Sequence, residues 1–436
     1  LFDSLQEAFL YLEAFTNLEK KPKPFIREYR LDRMKALLSA FGNPHDHPMI
    51  FHIAGSKGKG STGIFLTKLL EGRGHKVGLY TSPHVLSYTE RITLGGEACP
   101  DKVYLRNINR IHTFLQNSRP FTDLPSTISQ EPTTFELLTL LAFLIFEELK
   151  VDAIVLETGL GGRLDATNLV QPLATIITPI ELEHTAILGN SLASIAGEKA
   201  GIIKPQIPLF LSPQAPEAWE VFRSVSLELQ APFYPLEEFS WRLGPWDFHQ
   251  GWIESRQQRI KLNLGMAGKF QAQNFLLALY CYLHFFPDAS SKIWQEAAAS
   301  ARLPGRMEVM SSKPWIILDG GHTPKAMTKL METIDDLTSP PKTLVFGAVA
   351  DKDIEGMASV LVPHFHHIFL TRAGVFRSSD LEAMEETFRR AGARELQSFE
   401  EPHLILGYLN ERPEVRDRGL LITGSFFLLG EIQPWL

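Results

Sequence analysis

Only two of the 436 residues are cysteines, Cys99 and Cys281, and they lie far apart in the chain. That excludes a disulfide framework and a cysteine-based zinc site, and leaves both as plain buried thiols. Long apolar runs are also missing: the longest, 137–146 and 275–286, fall short of the roughly 20 residues that a membrane span requires, and read as buried core helices. There is no basic excess either. A formal charge of −7 supplies no stripe to neutralise a nucleic-acid backbone, and no run of like charges reads as an interaction tail. DNA, RNA and anionic membranes are therefore not expected as partners. The first residues lack the basic n-region of a signal peptide, so a cytoplasmic protein is expected. Internal repeats and low-complexity segments are absent.

What is present is ordinary globular composition, with 44% hydrophobic and 21% charged residues, in a chain too long for one typical core. Two domains are expected. From residue 49 onward, short β-branched runs alternate with longer helical patterns, the signature of a parallel sheet wrapped by helices, so the fold class is α/β. Strands are expected at 49–53, 76–80, 153–157, 174–178 and 208–211, with helices starting near Ser61, Thr133, Ser191 and Pro216. Residues 240–264 read as antiparallel hairpins, with Gly244, Pro245 and Gly251 as turn residues, extending or flanking the first domain. A second αβ series follows, with strands at 315–319, 343–346, 367–370 and 420–423 and helices near Pro324, Ile354 and Ser379. The successive helix breakers Pro304 and Gly305 put a boundary near 298–304, giving domains 1–300 and 301–436.

In open α/β sheets ligands bind at the carboxyl ends of the strands. The first strand runs into Gly55-Ser56-Lys57-Gly58-Lys59-Gly60-Ser61, and a helical pattern follows. Glycines let successive N–H groups turn toward one anion, the helix N-terminus adds partial positive charge, and a lysine adds a full one. A polyphosphate is the natural guest. The strict Walker A spacing fails, because Ile53 stands where its first glycine belongs and Gly60 follows Lys59 in place of Ser or Thr. A merely structural turn would have little use for two lysines among three glycines.

The strand at 153–157 delivers Glu157 to the same edge, where phosphate-binding proteins hold magnesium. The strand at 174–178 leads to Glu181, Glu183 and His184, and then to Glu198 and Lys199. A Glu198–Lys199 helix-surface pair is the default for that lysine. Were Lys199 within roughly 5 Å of Mg²⁺, repulsion of roughly 6 to 7 kcal/mol at an effective dielectric of about 20 would require it to be neutral, distant or chemically modified.

Together these segments resemble the folylpolyglutamate synthase and dihydrofolate synthase family, relatives of the Mur ligases, along nearly the whole chain. Residues 55–61 resemble the family pattern Gly-Thr-Asn-Gly-Lys-Gly-Ser. Thr81-Ser82-Pro83-His84, Glu90-Arg91-Ile92, Thr134-Phe135-Glu136, the 157–168 loop and residues 198–202 also correspond. Gln271, Asn274, Pro304-Gly305-Arg306, the 319–324 loop, Asp351-Lys352-Asp353 and Thr423-Gly424-Ser425 follow in the family's order. The departures are Ser56 and Lys57 for Thr-Asn, Glu183 for Asp, and Gly321 and Thr323 for Ala and Asn.

The resemblance implies a P-loop parallel-sheet ATPase domain followed by a smaller Rossmann-like domain, with the active site in the cleft between them. It implies an ATP-dependent ligase that forms an acyl phosphate and joins L-glutamate to tetrahydrofolate, and also to dihydropteroate. Gly55, Gly58, Lys59, Gly60 and Ser61 would hold ATP, with Asn274, Arg306, Asp319 and His322 contacting it from the far side. Ser82, Glu157, His184 and Lys199 would hold two Mg²⁺ ions, with Lys199 carbamoylated, and Lys59, His184 and Lys199 would be catalytic. Loops after His84 and before Thr133 would lie near the pteridine, and the chain would act as a monomer.

Three alternatives compete. A Mur-type amino acid ligase generally carries a UDP-sugar-binding domain before the glycine loop, and only 54 residues precede Gly55 here. A P-loop nucleotide switch or kinase leaves His184, Lys199 and the 319–324 loop without a role. A nucleotide-binding protein without catalysis is at odds with the intact Lys59, Glu157 and His184.

Overall fold

Aliphatic and β-branched runs bury both faces of a strand, and here they build a sheet covered on both sides. A computed structural model describes residues 1–17, 31–118, 121, 131–335, 337, 342–374 and 379–436. Its first sheet contains β1 (Ile50–Ala54), β2 (Val77–Tyr80), β3 (Ile92–Leu94), β4 (Glu97–Ala98), β5 (Ala153–Glu157), β6 (Ala174–Ile177), β7 (Leu209–Leu211) and β8 (Phe233–Pro235), in the order β4-β3-β2-β5-β1-β6-β7-β8. From β2 to β8 all neighbours run parallel; β3 and β4 add antiparallel at one edge. Every residue of β1, β5 and β6 is buried. Ile53 lies beside Glu157 on one side and Ile176 on the other, so the ends of β5, β1 and β6 share one edge.

Helix starts follow local chemistry. Thr133 and Glu136 make a reciprocal capping box for the helix Thr134–Leu149, buried continuously from Glu136 to Phe146. Ser191 caps Leu192–Ala200, and Pro216 opens Pro216–Glu228 from a position where its missing N–H is not needed. Both cysteines are buried, and no helix among the described residues is long and apolar enough to cross a membrane.

The chain forms two compact units. The first comprises Leu1–Pro83, Tyr88–Arg242 and Asn274–Ala298; the second comprises His84–Ser87, Leu243–Gln273 and Ala299–Leu436. A three-stranded antiparallel sheet, β9 (Arg242–Asp247), β10 (Gln250–Glu254) and β11 (Arg259–Asn263), stands where hairpins were expected. Gly244, Pro245 and Gly251 are strand residues and not the turns, which fall at 248–249 and 255–258; the glycines make room for cross-strand side chains, since a Cβ on Gly251 would meet the Trp246 ring at 2.3 Å and one on Gly244 would meet Glu254 at 2.6 Å. Residues 243–273 group with the second unit instead of extending the first. The cause is packing: Phe248 meets Trp315 edge-on at 5.1 Å and shares a core with Ala267, Met307 and Ile317.

The second unit's main sheet has β12 (Glu308–Ser312), β13 (Trp315–Asp319), β14 (Thr343–Phe346), β15 (His367–Thr371), β16 (Glu395–Phe399) and β17 (Leu420–Thr423), in the order β12-β13-β17-β14-β15-β16. Only β12 is antiparallel. Asp319 and Thr423 are paired at the ends of β13 and β17, on the carboxyl edge of that sheet.

Candidate active site

The glycine loop leaves β1 and enters the helix Lys59–Glu71 without an intervening cap side chain. Two of its glycines are dictated by geometry. Gly55 has φ +148°, and a Cβ there would meet Thr178 Oγ1 at 1.9 Å; Gly58 has φ +87°, and a Cβ would meet Asn274 Oδ1 at 2.5 Å. The backbone N–H groups of Ser56 and Lys57 donate to Pro179 O at 3.0 and 3.3 Å, and Ser56 Oγ donates to Glu181 O at 3.1 Å. Ser56 thus ties the loop to the chain leaving β6. Gly60 and Ser61 are buried in the first helical turn, which carries no acidic residue to offset the positive end of the helix dipole.

Two lysines converge on one oxygen. Lys59 Nζ donates to Gly55 O at 3.1 Å and lies 3.8 Å from Glu157 Oε1. Lys199 Nζ donates to the same carbonyl at 2.8 Å and to Glu183 Oε1 at 3.0 Å. The expected Glu198–Lys199 surface pair is absent: Glu198 bonds Arg163 at 2.7 Å, while Lys199 is only 2% exposed. Helical rotation turns the two neighbouring side chains in different directions, and the inward one needs a buried partner.

Burial depresses the Lys199 ammonium to about 8, against the opposing pull of Glu183 and with the help of Lys59. Burial would raise Glu183, but the charges of Lys199, Lys59 and Lys57 outweigh it and hold the carboxyl at about 2. Lys57, a departure from the family pattern, thereby adds positive charge to this edge.

Ser82 leaves β2 beside β5, its N–H donating to Glu157 Oε2 at 3.2 Å. His184 directly follows Glu183 and adopts the left-handed conformation, φ +47°, at the start of the turn Thr185–Leu188. Among the described residues no three His, Cys, Asp or Glu side chains form a metal cage. A buried carboxylate beside the Ser82 backbone, with the His184 imidazole on the segment that follows β6, is an oxygen-and-nitrogen donor set of the kind Mg²⁺ accepts together with waters and phosphate oxygens.

In the second unit Asp319 Oδ2 accepts from Met307 N at 2.9 Å and its Oδ1 from Gly321 N at 2.8 Å. The Arg306 guanidinium lies 4.2 Å from the Phe426 ring centre, and His322 Nδ1 donates to Gly320 O at 3.1 Å. Thr323 Oγ1 accepts from Ala326 N at 3.3 Å and so caps the helix Pro324–Asp335, a task that Thr and Asn both perform. Asn274, expected alongside Arg306 and Asp319, belongs to the first unit and lies against Gly58.

Two buried constellations carried no signal in the sequence. Arg33 Nε donates to both Glu136 oxygens, at 3.2 and 3.1 Å, and His52, Thr167 and Asp165 form a hydrogen-bonded chain. Their partners lie about a hundred residues apart. Most of the segment expected near the pteridine before Thr133, residues 122–130, lies outside the described residues.

A glycine loop with two inward lysines and a strand-end carboxylate, in a chain whose second α/β unit holds an Asp-Gly-Gly-His turn, fits the class of ATP-dependent ligases. The family described as Mur ligase, glutamate ligase domain, matches residues 305–426. Dihydrofolate synthase/folylpolyglutamate synthase of Bacillus subtilis is 32% identical over 449 residues, covering 100% of both chains. Folylpolyglutamate synthase of Mycobacterium tuberculosis, solved with ADP and AMPPCP, matches with a TM-score of 0.84 and 27% identity over 98% of each chain. FolC of E. coli, solved with DHPP and ADP, matches with a TM-score of 0.82 and 27% identity over 99% of this chain and 97% of its own. The chain belongs to the dihydrofolate synthase/folylpolyglutamate synthase family.

Proposed function

We propose that the protein joins L-glutamate to a folate, lengthening the glutamyl tail of tetrahydrofolate, and also to dihydropteroate to make dihydrofolate. The observation that carries this reading is the convergence of Lys59 and Lys199 on Gly55 O, with Glu157 and Glu183 on their flanks. A carboxylate is a poor electrophile at neutral pH, and phosphorylation turns one of its oxygens into a leaving group. The substrate carboxylate attacks the γ-phosphorus of ATP, ADP departs, and the glutamate amine displaces phosphate from the acyl phosphate to form the amide. Lys59 and the N–H groups of Gly60 and Ser61 offset the charge on the transferred phosphoryl group.

Ser82, Glu157 and His184 are proposed to hold Mg²⁺, which when bound supplies charge stabilisation to the phosphates. Lys199 is proposed to be carbamoylated. With its pKa lowered to about 8, a share of the amine is neutral near pH 7 and can attack CO₂ with loss of a proton, replacing a cation by an anionic oxygen ligand for a second metal. Gly55, Gly58 and Asn274 in the first unit, and Arg306, Asp319 and His322 in the second, are proposed nucleotide ligands. Residues 1–300, apart from the 84–87 and 243–273 segments that group with the second unit, are proposed as the ATP-binding region and 301–436 as the ligase domain, in a monomeric cytoplasmic enzyme.

The test is an assay of purified protein with ATP, Mg²⁺, glutamate and either dihydropteroate or tetrahydrofolate, reading phosphate release and product mass. A glutamate-dependent product one residue heavier is expected with both pterins; ATP hydrolysis indifferent to glutamate would sink the reading. For Lys199, a carbamoyl adduct in the crystal and acetate rescue of Lys199→Ala are expected. An unmodified amine in the active enzyme removes it from the ligand set.

A further inference from the structure

His52 lies on β1, three residues before Gly55, and is fully buried. Its Nε2 is 2.8 Å from Thr167 Oγ1, which in turn is 2.6 Å from Asp165 Oδ1. Asp165 accepts three further bonds, from the N–H groups of Thr167 at 3.0 Å and of Gly159 and Leu160 at 2.9 Å each. Burial raises the Asp165 carboxyl, but the Thr167 hydroxyl and three backbone donors aimed at its oxygens oppose that and hold it as the acceptor. The single Thr167 hydroxyl proton therefore goes to Asp165, and His52 must donate Nε2–H to Thr167. The remaining ring atom, Nδ1, is buried without a hydrogen-bond partner among the described residues, which a lone pair tolerates better than an N–H, and burial keeps the ring neutral.

This chain fastens the elements that carry the proposed reactive groups. Asp165 anchors the loop that begins two residues after Glu157. Within that loop Gly162 abuts the backbone of Lys199, where a Cβ would come 2.9 Å from its carbonyl oxygen. Arg163 N donates to Glu198 O at 2.7 Å, and Asn168 Nδ2 donates to Gly201 O at 2.9 Å.

We infer that His52 and Thr167 are positioning residues for the ligase reaction: a buried His52–Thr167–Asp165 relay holds the post-Glu157 loop and the Lys199 helix end in register with the glycine loop. The inference rests on the ligase reading above.

Nitrogen-15 NMR of the intact protein, with the His52 signal assigned by its loss in His52→Gln, reads the tautomer. Turnover and ADP affinity are measured for Thr167→Val, Thr167→Ser, His52→Gln and His52→Leu. The Nε2–H tautomer is expected in the wild type. Thr167→Val should lose about tenfold or more in kcat, with ADP affinity held and Thr167→Ser restoring turnover. The Nδ1–H tautomer overturns the relay, as does full turnover in Thr167→Val, or ADP affinity and melting temperature falling in step with kcat. If Thr167→Val does not fold, the His52 pair decides: Gln, which can still donate, should outperform Leu, and equal losses overturn the proposal. Wild-type protein without glutamate-dependent turnover would instead sink the ligase reading, leaving the tautomer measurable in its own right.

Discussion

Gly55 offers one carbonyl oxygen to two ammonium groups, and that arrangement sets the behaviour of the residues around it. Lys59 is the member of the pair placed in the glycine loop itself. Lys59→Met preserves the aliphatic stem and removes only the charge, so a fall of about 10²- to 10³-fold in kcat is expected in the glutamate-dependent assay. His52 makes a prediction about acid. Its pKa is about 3 in the fold against an ordinary 6.5, so below 6.5 the unfolded chain takes up a proton that the folded one refuses. Stability is complete above 6.5 and declines as pH falls toward 3, by about 2 kcal/mol over the first 1.5 units. Urea unfolding at pH 6.5 and pH 5 measures the decline, and His52→Gln should flatten it. Glu183, held at about 2, adds its own loss only below its ordinary 4.5.

At the scale of the element, capping explains both what the helices need and what could be read in advance. Thr133 Oγ1 accepts from Glu136 N at 3.2 Å while Glu136 Oε2 accepts from Thr133 N at 2.7 Å. Thr133→Ala should destabilise the protein by about 1 kcal/mol, measured as a shift in the denaturation midpoint. Such signals are local, which is why the starts near Thr133, Ser191 and Pro216 were legible in the sequence. The strand ending at Glu157 was legible for a related reason: a run of buried apolar residues stops at a charge that must reach an edge. Nothing local marks the His52–Thr167 bond or the Arg33–Glu136 pair, because each joins side chains distant in sequence and depends on which strands become neighbours. The β9–β11 sheet shows the same divide. Its hairpin character was visible in the glycines, but Gly244 and Gly251 lie within β9 and β10 and not at the turns, and its allegiance to the second unit rests on where Phe248 packs. Lys199 shows it at a single position, since pairing with Glu183 needed the fold and not the helix register alone.

At the scale of the molecule, neither unit is a single stretch of chain. The first unit takes back residues 274–298 after the chain has passed through the second, and those residues complete its apolar packing. Phe275 meets Phe65 edge-on at 5.4 Å and Phe285 meets Phe51 at 5.8 Å, both against the strand and helix that flank the glycine loop. A fragment ending at Arg242 should therefore expose these rings, bind a hydrophobic dye and aggregate; a soluble, cooperatively melting fragment would contradict the assignment. During synthesis the same threading imposes a delay. At about 5–20 residues per second, several seconds separate the emergence of Arg242 from that of Ala298. Through that interval the first unit's nascent sheet waits with Phe51 and Phe65 uncovered by Phe285 and Phe275, exposed apolar surface of the kind chaperones shield.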